Sequence, residues 1–179
     1  MKKLSKAVLN GLAACIVLIS GQDLQAQKNP SLTDPEVASV AVVANQIDIA
    51  YADIAQKKSK DAEVLKFAAT MKRDHTAVIK QAAALAKKLG VTPKDNPVSQ
   101  KLLSGAAATK KQLNSKSGKA FDKAYVDNEV AYHKAVIEAV EKLLIPETEN
   151  GELKQLLQNV VPALKAHLDH AEMIQKNYK

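Results

Sequence analysis

Three of the four histidines in this 179-residue chain, His75, His133 and His167, occupy helical rows where leucine would be expected. The rows read Ala68, His75, Ala82, Leu89, then Val126, His133, Val140, then Leu153, Val160, His167, Ile174. Apolar residues at seven-residue spacing keep one helix face against its neighbours. An imidazole on such a face is buried, where it either finds hydrogen-bond partners or ligates a metal. Asp48 lies beside the apolar stripe of a fourth stretch, one heptad after Ala41 and one before Ala55.

Two chemistries fit these four groups. The leading one is a structural polar layer, in which the imidazoles bond to Asp48, Tyr51, Tyr125 or backbone groups and fix helix register. The sharper one is a metal site made by Asp48, His75, His133 and His167, with zinc, iron or copper as the ion. Glu129, one turn before His133, and His170, three residues after His167, are supplementary candidates. Asp74 projects from a different helical face than His75 and reads as a solvated acid. A ferritin-type di-iron centre requires a Glu-x-x-His pair on each of two helices, and the chain has none. Nothing resembles a nucleophile elbow or a glycine-rich phosphate loop. No catalytic residue is assigned, and the chain reads as non-enzymatic.

Four long amphipathic helices must hold these groups. Thr33-Asp34-Pro35-Glu36 is a helix start, and helix A runs to about Lys58 with Val37, Val40, Ala44, Ile47, Tyr51 and Ile54 inward. Helix B runs from about Asp61 to Leu89 and stops at Gly90. Its seam rows continue past His75 through Val78, Ala82, Leu85 and Leu89. Residues 91 to 118 are too long for a hairpin and include a poorer helix after Asn96-Pro97, so the chain returns along the bundle before helix C. Helix C runs from about Lys119 to Ile145, where Pro146 ends it, with Phe121, Tyr125 and Tyr132 on its flanks. Helix D runs from about Glu152 to Asn177, and Pro162 should kink it. A long crossover makes B and C parallel, which brings their histidines nearly level. The expected fold is an all-α, ferritin-like four-helix bundle over residues 34–179 with a long, partly helical B–C crossover.

The N-terminus reads as an address. Met1-Lys2-Lys3 and Lys6 precede the apolar stretch Ala7 to Ser20, too short to span a bilayer comfortably. Leu24-Gln25-Ala26 offers cleavage before Gln27, leaving residues 27–33 as a linker. Leu12-Ala13-Ala14-Cys15 also matches a lipobox, and lipidation at Cys15 is the minority reading. The mature chain then has no transmembrane span and lies in the periplasm or in association with the outer membrane. Its net charge of +7 falls to +5 once Lys2, Lys3, Lys6 and Asp23 are removed. The lysines are scattered among acids without stacking aromatics, so no nucleic-acid partner is expected.

The order and spacing of several elements resemble the bacterial family known as domain of unknown function 4142. These elements are Asp48-Ile49 with Ile54-Ala55-Gln56-Lys57, Val64 to Phe67-Ala68, Met71 and Asp74-His75-Thr76. Downstream they continue with Phe121-Asp122, Tyr125, His133, and Pro162 through Leu164 to His167-Leu168. The resemblance implies a ferritin-like bundle in the cell envelope without an established activity. The family commonly carries glutamate where this chain has Asp48. The expected function is therefore an exported envelope protein, with metal binding or a stress association as its open attributes. The alternatives are a metal-dependent oxidoreductase or metal-storage protein, and a module that binds anionic envelope polymers.

Overall fold

The computed structural model describes residues 31 to 178. The expected signal segment 1–26, with Cys15, lies outside the described residues. So does most of the expected linker, although Leu32 is buried in the bundle and its N–H reaches the Glu147 carboxylate at 3.3 Å.

The helix ends follow local chemistry. Helix α1 is Asp34–Lys58, and the Glu36 carboxylate accepts from the Thr33 N–H at 3.0 Å and the Thr33 hydroxyl at 2.8 Å. Helix α2 is Ala62–Leu89. Asp61 caps it by accepting from the Glu63 and Val64 N–H groups, and Gly90 closes it at φ 64°. The crossover is more regular than expected. It forms a full helix, α3, Pro97–Asn114, because buried Asn96 caps Val98 and Ser99 while its side-chain amide donates to the Glu36 carbonyl.

Helix α4 is Gly118–Ala139, and the chain does not stop turning where Pro146 was expected to end it. The backbone widens into a π turn at Val140–Leu144 and finishes with one α turn, Ile145–Glu147. The Ile145 N–H donates to the Val140 carbonyl, five residues back. That widening relieves the position where Pro146 has no N–H to donate and its ring would crowd a tight turn. Helix α5 is Gly151–Gln175 and runs on through exposed Pro162, followed by a 3₁₀ turn, Lys176–Tyr178.

Hydrogen bonds at the two ends of the bundle set its topology. At one end the Lys94 N–H reaches the Pro35 carbonyl at 2.9 Å, and the Glu149 and Asn150 N–H groups both reach the Asp34 carboxylate at 2.9 Å. At the other, Lys58 donates to the Asn114 carbonyl at 2.6 Å and Tyr178 to Asp61 at 2.9 Å. Thus α1, α3 and α5 run one way, and α2 and α4 the other. Contacts connect α1 to α2, α2 to α5, α5 to α4 and α4 to α1, which closes a four-helix ring, while α3 packs outside on α1 and α4. The expected parallel arrangement of the second and third long helices is present.

The ring has two apolar cores. Toward the α1–α2 turn, Phe67, Met71, Phe121, Tyr125, Ala52 and Ile174 interlock. Phe121 and Tyr125, expected on the flanks, are fully buried there. Toward the opposite end, Val37, Val40, Val140, Leu144, Leu157 and Leu164 form the second cluster. By length and composition α1 is apolar enough to cross a membrane, with a mean hydropathy of 1.3. Half of its apolar window is buried inside the bundle, and the same helix buries Asp48.

Candidate metal centre

The three seam histidines and Asp48 meet between the two cores. One ring nitrogen from each of His75, His133 and His167 lies within 4.8 Å of one from each of the others. Asp48 joins them from α1, its Oδ2 at 3.4 Å from His75 Nε2 and 3.6 Å from His133 Nε2. Exposure is 0% for Asp48, 1% for His133, 4% for His75 and 7% for His167. All four candidate ligands from the sequence are thus brought together.

The outer nitrogens of the rings are all tied to oxygens. His75 Nδ1 lies 2.7 Å from Asn45 Oδ1, and Asn45 is itself oriented because its amide donates to the Ala41 carbonyl at 2.8 Å. His133 Nδ1 lies 3.0 Å from the Glu129 carbonyl, one helical turn back. His167 Nε2 lies 3.0 Å from Asp74 Oδ2. A carbonyl oxygen and an ionised carboxylate only accept, so each of these ring nitrogens carries the proton. The proton-free nitrogens are then His75 Nε2, His133 Nε2 and His167 Nδ1. These three atoms are buried without a hydrogen-bond partner.

The layer leaves several buried polar atoms without protein partners. Three bare lone pairs lie in the layer, and Asp48 Oδ2 faces two of them. Of the protein partners expected for a structural layer, the Tyr125 hydroxyl is buried without a partner. Both Asp48 oxygens are likewise unpartnered, and 3.4–3.6 Å is too long for a strong hydrogen bond. Two ligands of one tetrahedral ion, at bonds of about 2.0–2.1 Å, sit roughly 3.3–3.4 Å apart. The Asp48-to-imidazole spacings are close to that value.

Electrostatics agree with a cation-ready set. Burial, followed by the neighbouring His133 and His167, pushes His75 down to about 3. Burial pushes His133 down to about 4, against the opposing bond to Glu129. His167 is lowered by burial, with Asp74 pulling the other way. The imidazoles are therefore neutral, the form that ligates. Burial raises Asp48 to about 8, and burial plus Asp48 raises Glu129 well above the usual carboxylate range. Burial thus favours the protonated form of both carboxyls. A bound cation would favour their ionised forms.

Four further residues depart from or extend the sequence reading. Asp74 is not simply a solvated acid: Arg73 holds its carboxyl below the usual range at 2.7 Å, and as an anion it orients the His167 ring. It does project away from His75 on α2, but the histidine it meets comes from α5. Asn45 escapes the sequence reading, although its position three residues before Asp48 places it on the same face. Glu129 does adjoin the cluster, fully buried, with Oε2 at 3.6 Å from His133 Nδ1, and Asp48, Glu129 and His133 form a second close group. His170 stays apart, set edge-on against the Phe67 ring at 5.2 Å between centroids.

No curated protein matches the chain. Among solved structures, "CopM in the Cu(II)-bound form" superposes with a TM-score of 0.61 at 18% identity, covering 83% of this chain and 100% of that one. At that identity the likeness is one of fold. The family described as a domain of unknown function, DUF4142, matches residues 20–174. With a match over most of its length, the chain belongs to that family.

Proposed function

We propose that the protein is exported and binds one divalent transition-metal ion, zinc or copper(II), through His75, His133, His167 and Asp48, holding it rather than catalysing with it. The observation that carries this reading is the convergence of three buried imidazoles, one ring nitrogen of each within 4.8 Å of the others, and each ring fixed by an oxygen acceptor behind it. Outer partners of this kind orient and strengthen metal-ligating histidines. Imidazole suits zinc and copper, and the structural relative CopM has a Cu(II)-bound form. Export rests on the basic start, the apolar stretch from Ala7 to Ser20 and the small residue at Ala26.

Elemental analysis of protein loaded with zinc or copper(II) and then desalted tests the site. About one ion per chain is expected, with a rise in melting temperature. The combined His75→Ala and His133→Ala variant should retain neither. Protein that remains metal-free and unshifted after loading contradicts the proposal. An intact mass beginning at Gln27 is the expected mark of export.

A further inference from the structure

The histidine layer forms one end of a long hollow. A cavity of about 580 Å³ is lined at this end by Asp48, His75, His133 and His167, and along its walls by residues such as Val78, Leu85, Val136, Val160 and Leu164. Its lining runs from Asp34 to Asp48 on α1, from Asp74 to Leu89 on α2 and from Leu153 to His167 on α5. Fourteen helical residues rise about 21 Å, so the hollow is long for its volume. Past His75, α2 buries no residue. The apolar rows that were expected to seal the seam, Val78, Leu85 and Ala82, Leu89, line this space and are only half-buried.

A ligand for this space must match its two chemistries. The walls are apolar and suit a narrow hydrocarbon body. The floor carries His75, His133, His167 and Asp48, and a cation held there draws an anionic head, whereas an alkyl end offers it no counter-charge. The far rim includes Lys87 and Thr92, both exposed. The head therefore belongs at the floor.

We propose that the cavity binds a single-chain carboxylic acid, whose carboxylate would face the metal ion and whose alkyl chain lies between α1, α2, α4 and α5. This inference rests on the metal reading above. Zinc coordination can expand from four ligands to five. The ion and the acid then reinforce one another's binding by the same factor.

Cobalt(II)-loaded protein gives a direct test, because its visible spectrum reports changes in the ligands. Dodecanoate should change that spectrum and bind on the order of tenfold more tightly to loaded than to metal-free protein. Acetate, a head without a tail, and dodecanol, a tail without a head, should each be much weaker. Ala82→Trp places bulk in the cavity wall and should abolish the dodecanoate response while leaving the cobalt spectrum intact. An unchanged spectrum with cobalt bound overturns the inference and leaves the metal site standing. Equal potency of acetate and dodecanoate, equal affinity for loaded and metal-free protein, or an undiminished response in Ala82→Trp also overturns it. A protein that takes up no cobalt removes the metal reading and this inference together.

Discussion

The halves of the bundle on either side of the histidine layer are built from the same four helices yet filled differently. Below the layer, toward the α1–α2 turn, Phe67, Met71, Phe121 and Tyr125 are fully buried and occupy the space between the helices. Above it, alanines and aliphatic side chains face a hollow of about 580 Å³. The change occurs within one helix: α2 buries Val64, Phe67, Ala68, Met71 and His75, then nothing further along its length. The closed half supplies the tight packing that locks side chains in place. The open half gives the polar layer a space in front of it. One helix thus serves stability at its first turns and access at its last.

Substitution in the closed half should have the largest effect. Phe67→Ala removes a fully buried ring and should cost about 3–5 kcal/mol in urea unfolding. A cost below about 1 kcal/mol there, the range of ordinary surface changes, would erase the distinction between the halves.

The groups behind the histidines come next. Asn45→Ala and Asp74→Ala each remove an acceptor that orients a ring. Each should lower zinc affinity by roughly 10–100-fold in calorimetric titration, with the stoichiometry unchanged. Unaltered affinity in both variants would mean that the ring orientations do not serve a metal.

The layer should also set the pH response. His75 is lowered to about 3, so its contribution to stability is complete above its ordinary value of 6.5 and is lost as pH falls from there toward 3. Asp48 is raised from 3.8 to about 8, so its contribution is complete below 3.8 and is lost as pH rises toward 8. Between about pH 7 and 8 only the carboxyl effect operates. The melting temperature of metal-free protein should fall over that interval, while the gap between zinc-loaded and metal-free protein widens. A metal-free protein that gains stability across the same interval would contradict this assignment.

The smallest effect belongs to the open half. Leu85→Ala trims a half-buried wall residue and should cost less than about 1 kcal/mol. A loss comparable to that of Phe67→Ala would show that the hollow closes in solution.

Much of this site is legible from spacing, because a histidine on a heptad row has only one direction to face. Helix lengths and a long crossover place His75, His133 and His167 at one level, and Asp48 follows from its place beside the α1 stripe. Asp74 is misread because a helical projection describes one helix at a time, whereas its partner His167 arrives from another. The hollow is hidden for a related reason. Val78, Leu85 and Leu89 continue the same periodicity as Val64 and Met71, and periodicity does not report how far away the facing helix lies. Side-chain size holds the better signal: aromatics cluster near one end of the bundle, and the run Ala82-Ala83-Ala84 falls at the other. The π turn before Pro146 is unreadable because proline at that position is equally compatible with a simple helix end.

X-ray absorption at the metal edge of zinc- or copper-loaded protein tests the central claim most directly. The expected spectrum shows a first shell of nitrogen and oxygen at about 2.0–2.1 Å, with outer scattering from three imidazoles that disappears in part in His75→Ala. A shell without imidazole scattering, or one unchanged by His75→Ala, would contradict it.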